Sequence, residues 1–165
     1  MSELTENLNS NHRKKEFSCG KEMHDNYLQN QDNQDIKRKL SACFVINDEE
    51  SNLLKGYYTL SNNSIPQSMI PTEFQKKLPK SYDSIPTTLL GRLAIDDRFQ
   101  AKGVGKLLLL DALKRSYEIS KSIGSFAVIV DPLDEDVVKF YEKYGLINLP
   151  DSGKMFLPMN TTLFE

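Results

Sequence analysis

Tryptophan is absent from this chain, and cysteine and histidine occur only twice each, at spacings that hold no metal. Cys19 and Cys43 are too few for a disulfide framework, so both are expected to be reduced thiols. A basic excess is missing too. The formal net charge is −2 over 165 residues, whereas proteins that grip polyanions draw on phosphate neutralisation by Lys and Arg. The triplets Arg13-Lys14-Lys15 and Lys37-Arg38-Lys39 read as solvated faces. No apolar run approaches the roughly 20 residues that span a bilayer. The start, Met1-Ser2-Glu3-Leu4-Thr5-Glu6-Asn7, is polar and acidic where a secretory signal is basic and then apolar. No membrane contact and a cytoplasmic location are therefore expected.

What is present is the make-up of an ordinary globular protein, 39% hydrophobic and 27% charged, at a length that fits one domain over 1–165. Residues 1–16 read as a loose lead-in. Met23, Tyr27 and Leu28 suit a modest amphipathic helix over 22–34. Ala42-Cys43-Phe44-Val45-Ile46 and the stretch Leu53 to Leu60 read as a hairpin around the polar turn Asn47 to Asn52. Ser61 to Pro86 holds four of the seven prolines and is expected to be a long loop around a short helix near Glu73 to Leu78.

An extended stretch, Thr87 to Ile95, then enters Gln100-Ala101-Lys102-Gly103-Val104-Gly105. Two glycines there leave out side chains where a backbone must approach a ligand, and the first-turn amides of the following helix lack partners inside the helix. Such amides and the helix dipole favour an anion, which makes the segment a candidate phosphate cradle. The helix is expected over 106–120, with Leu110, Leu113 and Tyr117 as its buried side. Phe126-Ala127-Val128-Ile129-Val130 is continuously apolar, as in a strand covered on both faces and paired in parallel. Asp134 is placed to cap a helix reaching Tyr144, and Lys154 to Met159 reads as a last strand.

Taken together, these residues resemble the GNAT superfamily of acyl-CoA N-acyltransferases. Its phosphate-loop pattern is Gln or Arg, two residues, Gly, one residue, Gly or Ala, set between a strand and a helix, and 100–105 fits it. Leu90-Gly91-Arg92-Leu93-Ala94-Ile95-Asp96 and Phe140-Tyr141-Glu142-Lys143-Tyr144-Gly145-Leu146 look like the other two hallmarks. The likeness runs from about Phe17 onward, through Gly56-Tyr57-Tyr58-Thr59-Leu60, and is weakest before Ser41. Leu133-Asp134-Glu135 leading to Phe140-Tyr141 looks most like the branch holding the acetyltransferase toxins of bacterial toxin–antitoxin pairs, which acetylate the amino acid on charged tRNA. The resemblance implies a single GNAT-like α/β domain. Its central sheet would be mixed and mostly antiparallel, with a parallel strand pair after the glycine loop and helices on its flanks. It further implies acetyl-CoA as cosubstrate and no metal, and a homodimer is common in the family.

In such an enzyme the amides from Ala101 to Lys106 are expected to hold the pyrophosphate, with Gln100 and Lys102 adding side-chain contacts at its edge; Lys106 equally reads as a solvated helix residue. The resemblance places the pantetheine arm along Leu93-Ala94-Ile95, through the main chain of Leu93 and Ile95. On periodicity alone Tyr141 and Tyr144 both read as core. The resemblance makes Tyr141 the general acid, because a phenol stays protonated at neutral pH and can protonate a departing thiolate. Asp96, Asp97 and Asp131 read as turn formers, His12 and His24 as surface residues, and no general base stands out. An α-amine is partly free base near neutrality, which favours an α-amino acceptor, free or esterified. Direct attack in a ternary complex is expected, since no Cys/His pair suggests a covalent acetyl-enzyme. The expected reaction is acetyl transfer to a primary amine. A small amino-acid-like amine ranks first because the basic excess is missing, then an aminoacyl-tRNA, then a non-catalytic CoA-binding module.

Overall fold

The computed structural model describes residues 4–160, and there seven strands form: β1 (Glu6–Asn7), β2 (Ala42–Asn47), β3 (Leu54–Pro66), β4 (Ser84–Ile95), β5 (Ala127–Val130), β6 (Ile147–Asn148) and β7 (Met155–Pro158). The helices are α1 (Glu22–Asn26), α2 (Asp32–Lys37), α3 (Thr72–Gln75), α4 (Val104–Ser120) and α5 (Glu135–Lys143). The strands form one mixed, mostly antiparallel sheet in the order β1-β2-β3-β4-β5-β7-β6. β4 and β5 are its parallel pair, Leu89 lying opposite Ile129. All four β5 residues are buried, which is why that stretch is uniformly apolar rather than alternating.

By contacts the chain divides into two compact units, one holding residues up to Ser61 with Gly91–Leu113, the other Asn62–Leu90 with residues from Lys114 onward. In the first unit β2 pairs antiparallel with both β1 and β3. Phe17, Tyr27, Leu28, Val45, Tyr57 and Ala94 form its core. Residues 5–16 are tied down rather than loose. The Leu8 amide donates to the Cys43 carbonyl, and the hydroxyls of Thr5 and Tyr58 both donate to Asp111 Oδ2, at 2.5 and 2.7 Å. In the second unit Ile65, Ile85, Ile129 and Phe156 form the core, and Asp134 caps α5 by accepting from the Val137 amide at 3.0 Å.

Three expectations are corrected here. β3 continues to Pro66 through Ser61-Asn62-Asn63-Ser64, whose polar side chains alternate toward solvent and so hid a strand inside an expected loop. The helix expected over 22–34 is broken by a π-helical turn, Tyr27–Gln31, between α1 and α2. On α4 the buried side is Leu108, Leu109, Ala112, Leu113 and Ser116; of the expected stripe Leu113 is buried, while Leu110 and Tyr117 are half-buried, because four consecutive leucines from Leu107 to Leu110 obscure the phase.

Candidate functional site

Ile95 ends β4, and the chain then turns through a short 3₁₀ segment, Asp97–Phe99, into the glycine loop. Ala101 and Gly103 both take positive φ, 61° and 78°. For alanine that costs roughly 1 kcal/mol, so the loop holds a shape its sequence does not prefer. Nothing stands within 4 Å of the place a Cβ on Gly103 would occupy, which leaves the backbone open to a close ligand. The N–H groups of residues 101 to 106 find no acceptor among the described residues, and the first amide to turn back is that of Leu107, onto the Gly103 carbonyl at 3.3 Å. A row of unspent donors at the N-terminus of a 17-residue helix fits a pyrophosphate, so the loop passes a physical test for coenzyme A.

The loop is braced from one side. Gln100 directs its side-chain amide inward, to the carbonyls of Cys19 and Ile95 at 3.1 and 3.0 Å and to Asp97 Oδ1 at 3.1 Å, so its Nε2 is engaged within the chain. Asp96 is buried and accepts from the Ser18 amide, the Arg98 amide and the Arg98 guanidinium at 2.8 to 3.0 Å. Burial pushes its carboxyl up, but the Arg98 and Ser18 hydrogen bonds outweigh that and hold it below the usual carboxylate value. Sequence alone read Asp96 as a turn former, whereas it is the anchor of the loop's entry; its place two residues before an arginine was the available signal. Lys102 is exposed, its ammonium 5.8 Å from the centre of the Phe99 ring, and Lys106 is exposed as well.

A second feature fixes the strand that leads there. A Cβ on Gly56 would lie 2.8 Å from the Ala94 carbonyl oxygen, 2.9 Å from Ile95 and 3.2 Å from Leu108, so β3, β4 and α4 approach one another as only glycine allows. That approach sets the backbone of Leu93, Ala94 and Ile95.

Tyr141 lies in the second unit, on α5, where it is buried, its ring tilted 60° against that of Phe140 at 5.5 Å. Its hydroxyl has no hydrogen-bond partner among the described residues, and burial alone pushes the phenol up. It therefore keeps its proton throughout the neutral range. Tyr144 is half-buried and stacks edgewise on Phe140 at 5.2 Å. Asp131 is exposed and pairs with Lys154 at 3.2 Å. Neither histidine is a surface residue. His12 is buried, accepts from the Asn9 amide at Nδ1 and so presents its Nε2 hydrogen to Glu6 at 2.8 Å. His24 is half-buried on α1. Both were hidden by the Asn- and Gln-rich composition around them. Among the described residues no group of three or more His, Cys, Asp or Glu is arranged to hold a metal, and no helix is long and apolar enough to cross a membrane.

No family model matches the chain. It is 30% identical over 158 residues to a probable toxin TacT of Sinorhizobium fredii, covering 91% of this chain and 87% of that one. It is 32% identical over 125 residues to a tRNA-acetylating toxin of Mycobacterium tuberculosis, covering 76% and 72%. Among solved structures, a tyrosine-to-phenylalanine mutant of KacT superposes with a TM-score of 0.87 at 28% identity over 94% of each chain. AtaT complexed with acetyl-methionyl-tRNAfMet gives 0.85 at 28% over 93% of each. AtaTR bound with acetyl-CoA gives 0.81 at 28%, over 94% of this chain and 92% of that one. A mixed sheet with the expected parallel pair, a loop of free amides after its fourth strand and these relatives have one reading: the chain belongs to the acetyltransferase-toxin branch of the GNAT superfamily, and is an acetyl-CoA-dependent N-acetyltransferase.

Proposed function

We propose that the acceptor is the α-amine of an aminoacyl-tRNA, so that the protein acts as a toxin that blocks charged tRNA by N-acetylation. The observation that carries this is the likeness to the tRNA-acetylating toxin over 76% of the chain, supported by the TM-score of 0.85 to AtaT with its acetylated tRNA. It displaces the small amino-acid-like amine ranked first on net charge. That ranking failed because net charge sums the whole surface, while an RNA meets local patches. Lys37, Arg38 and Lys39 are all exposed, and none of them makes an ion pair among the described residues.

Bound acetyl-CoA supplies the activated acetyl group as a thioester. The amides from Ala101 to Lys106 hold the pyrophosphate, with Lys102 at its edge and Gln100 acting from beneath through its brace. The main chain of Leu93 and Ile95 extends to the pantetheine arm like an added strand, as the resemblance implies. Tyr141 keeps its phenolic proton and delivers it to the sulfur as the C–N bond forms and the C–S bond breaks; the proton shed by the attacking nitrogen goes to solvent, from which the phenol is reprotonated. The α-amine of an aminoacyl ester is partly unprotonated at neutral pH, so the chain needs no strong base.

A panel of charged tRNAs and free amines, assayed for acetyl transfer, tests the acceptor. Acetylation of one or more charged tRNAs with none of the free amines is expected; acetylation of free amines alone overturns the reading. Tyr141→Phe is expected to lower kcat by about 10²-fold or more while acetyl-CoA binding, followed by calorimetry, stays unchanged. Because burial raises the phenol, wild-type kcat is expected to show no alkaline fall from Tyr141 below about pH 10.

A further inference from the structure

Arg92 stands one residue before Leu93 on β4, and neighbours within the first unit fix which face it takes. Ile95 points toward α4, since the missing Cβ of Gly56 would meet both Ile95 and Leu108. Ala94 points the other way, into the cluster of Phe17, Tyr27 and Tyr57. Arg92, two residues from Ala94, shares that second face, and its guanidinium lies 3.6 Å above the centre of the Tyr27 ring.

A guanidinium carries five N–H donors. Half-buried here, that of Arg92 makes no ion pair and no hydrogen bond among the described residues; the Tyr27 ring is its partner. The nearby His24 has its Nδ1 enclosed, also without a hydrogen-bond partner among the described residues. Burial first, and the Arg92 charge second, hold that imidazole below its usual value, so it is neutral and able to donate. Its backbone is fixed, because the Tyr57 hydroxyl donates to the His24 carbonyl at 2.7 Å. The π-helical turn that carries Tyr27 begins three residues later, and such turns gather at functional sites. A cation and an imidazole with unspent hydrogen-bonding capacity, held on one face beside the strand that takes the donor arm, form a site for an oxyanion.

We infer that Arg92, with His24 beside it, is a subsite for the phosphodiester joining the last two nucleotides of the acceptor tRNA. This rests on the aminoacyl-tRNA reading above. Length selects this anion over others. Arg92 lies three residues before Ile95, roughly 10 Å along an extended strand. In an aminoacyl ester of the terminal adenosine about eight bonds, or roughly 9 Å, separate the α-amine from the 5′-phosphorus. The carboxylate of a free amino acid is only two bonds from its amine, too short to reach Arg92 while the amine sits at the reacting end.

Two synthetic acceptors carrying the same amino acid decide the matter, the amino acid being one the enzyme acetylates on tRNA. One is the aminoacyl adenosine, which has no phosphate; the other is the aminoacyl cytidylyl-adenosine dinucleotide, which has one. Wild-type protein is expected to prefer the dinucleotide by about tenfold or more in kcat/KM, the scale of a charge-assisted bidentate contact. Arg92→Gln is expected to bring that ratio near one with acetyl-CoA affinity unmoved. Arg92→Lys, which keeps the charge and loses the fork, is expected to fall between, and His24→Gln to lower the ratio in part. A Lys121→Gln control keeps the wild-type ratio. A wild-type enzyme with no preference overturns the assignment, as does an Arg92→Gln enzyme that retains it. Should Arg92→Gln not fold, a wild-type ratio in both Arg92→Lys and His24→Gln overturns it equally. Acetylation of free amino acids and of neither nucleotide is a different result, and removes the tRNA reading itself.

Discussion

Gln100 and Cys19 are joined by a 3.1 Å hydrogen bond from the glutamine side chain to the cysteine carbonyl. Through it, and through the Ser18 bonds to Asp96 and Asp97, the segment that leads into α1 holds the first residue of the glycine loop. The glutamine of the phosphate-loop pattern therefore acts as a brace in this chain.

Gln100→Ala is expected to weaken acetyl-CoA binding by about tenfold, the worth of a lost hydrogen bond and a loosened loop. Calorimetry on the purified variant measures this. Unchanged affinity would show that the loop keeps its shape without the brace.

Gly56→Ala places a methyl group 2.8 Å from the Ala94 carbonyl oxygen, a backbone atom that cannot step aside. The expected cost is about 2–3 kcal/mol, which in a domain of this size lowers Tm by roughly 5–10 °C. Calorimetric melting of the variant that matches wild type would mean that the three elements yield to admit the methyl group.

Asp96 is expected to make stability fall in acid. Its folded-state carboxyl lies below the ordinary value, so its contribution is present above that value and is lost as pH falls through the depressed one. Asp96→Asn is expected to cost about 2 kcal/mol at pH 7, with Arg98 left unpaired, and less in acid, as pH falls below the ordinary carboxylate value toward the depressed one and wild type loses the same contribution. Urea unfolding at pH 7 and in acid gives the comparison; a mutational cost that does not shrink on acidification would rule out Asp96 as the source.

Elements with strong periodicity or continuous apolar runs were legible in the sequence: β2, β5 and α5 lie where residue patterns put them, β4 does so from Thr87 onward but starts three residues earlier, at Ser84, and the two glycines marked the turn between β4 and α4. What was hidden had weak local signals. β1 and β6 are two-residue strands formed only because a neighbour supplies the partner, and the polar half of β3 looks like a loop until Ile65 is seen to be buried. The brace at Gln100, the anchor at Asp96 and the stacking of Arg92 on Tyr27 depend on residues between 18 and 100, far apart in sequence and joined by the fold. No local window contains them. Tyr141 is the converse case, since its helical stripe position is equally that of a core residue and its chemistry came from the resemblance.

Both sulfur atoms of the protein's cysteines are enclosed, and burial pushes the Cys19 thiol up to about 12 and raises Cys43 further. Neither offers a thiolate at neutral pH, so a chromogenic disulfide reagent added to the folded enzyme finds little on the protein to attack. Free coenzyme, the one product that carries an exposed sulfhydryl, then colours the solution on its own, and turnover can be watched continuously without a protein blank.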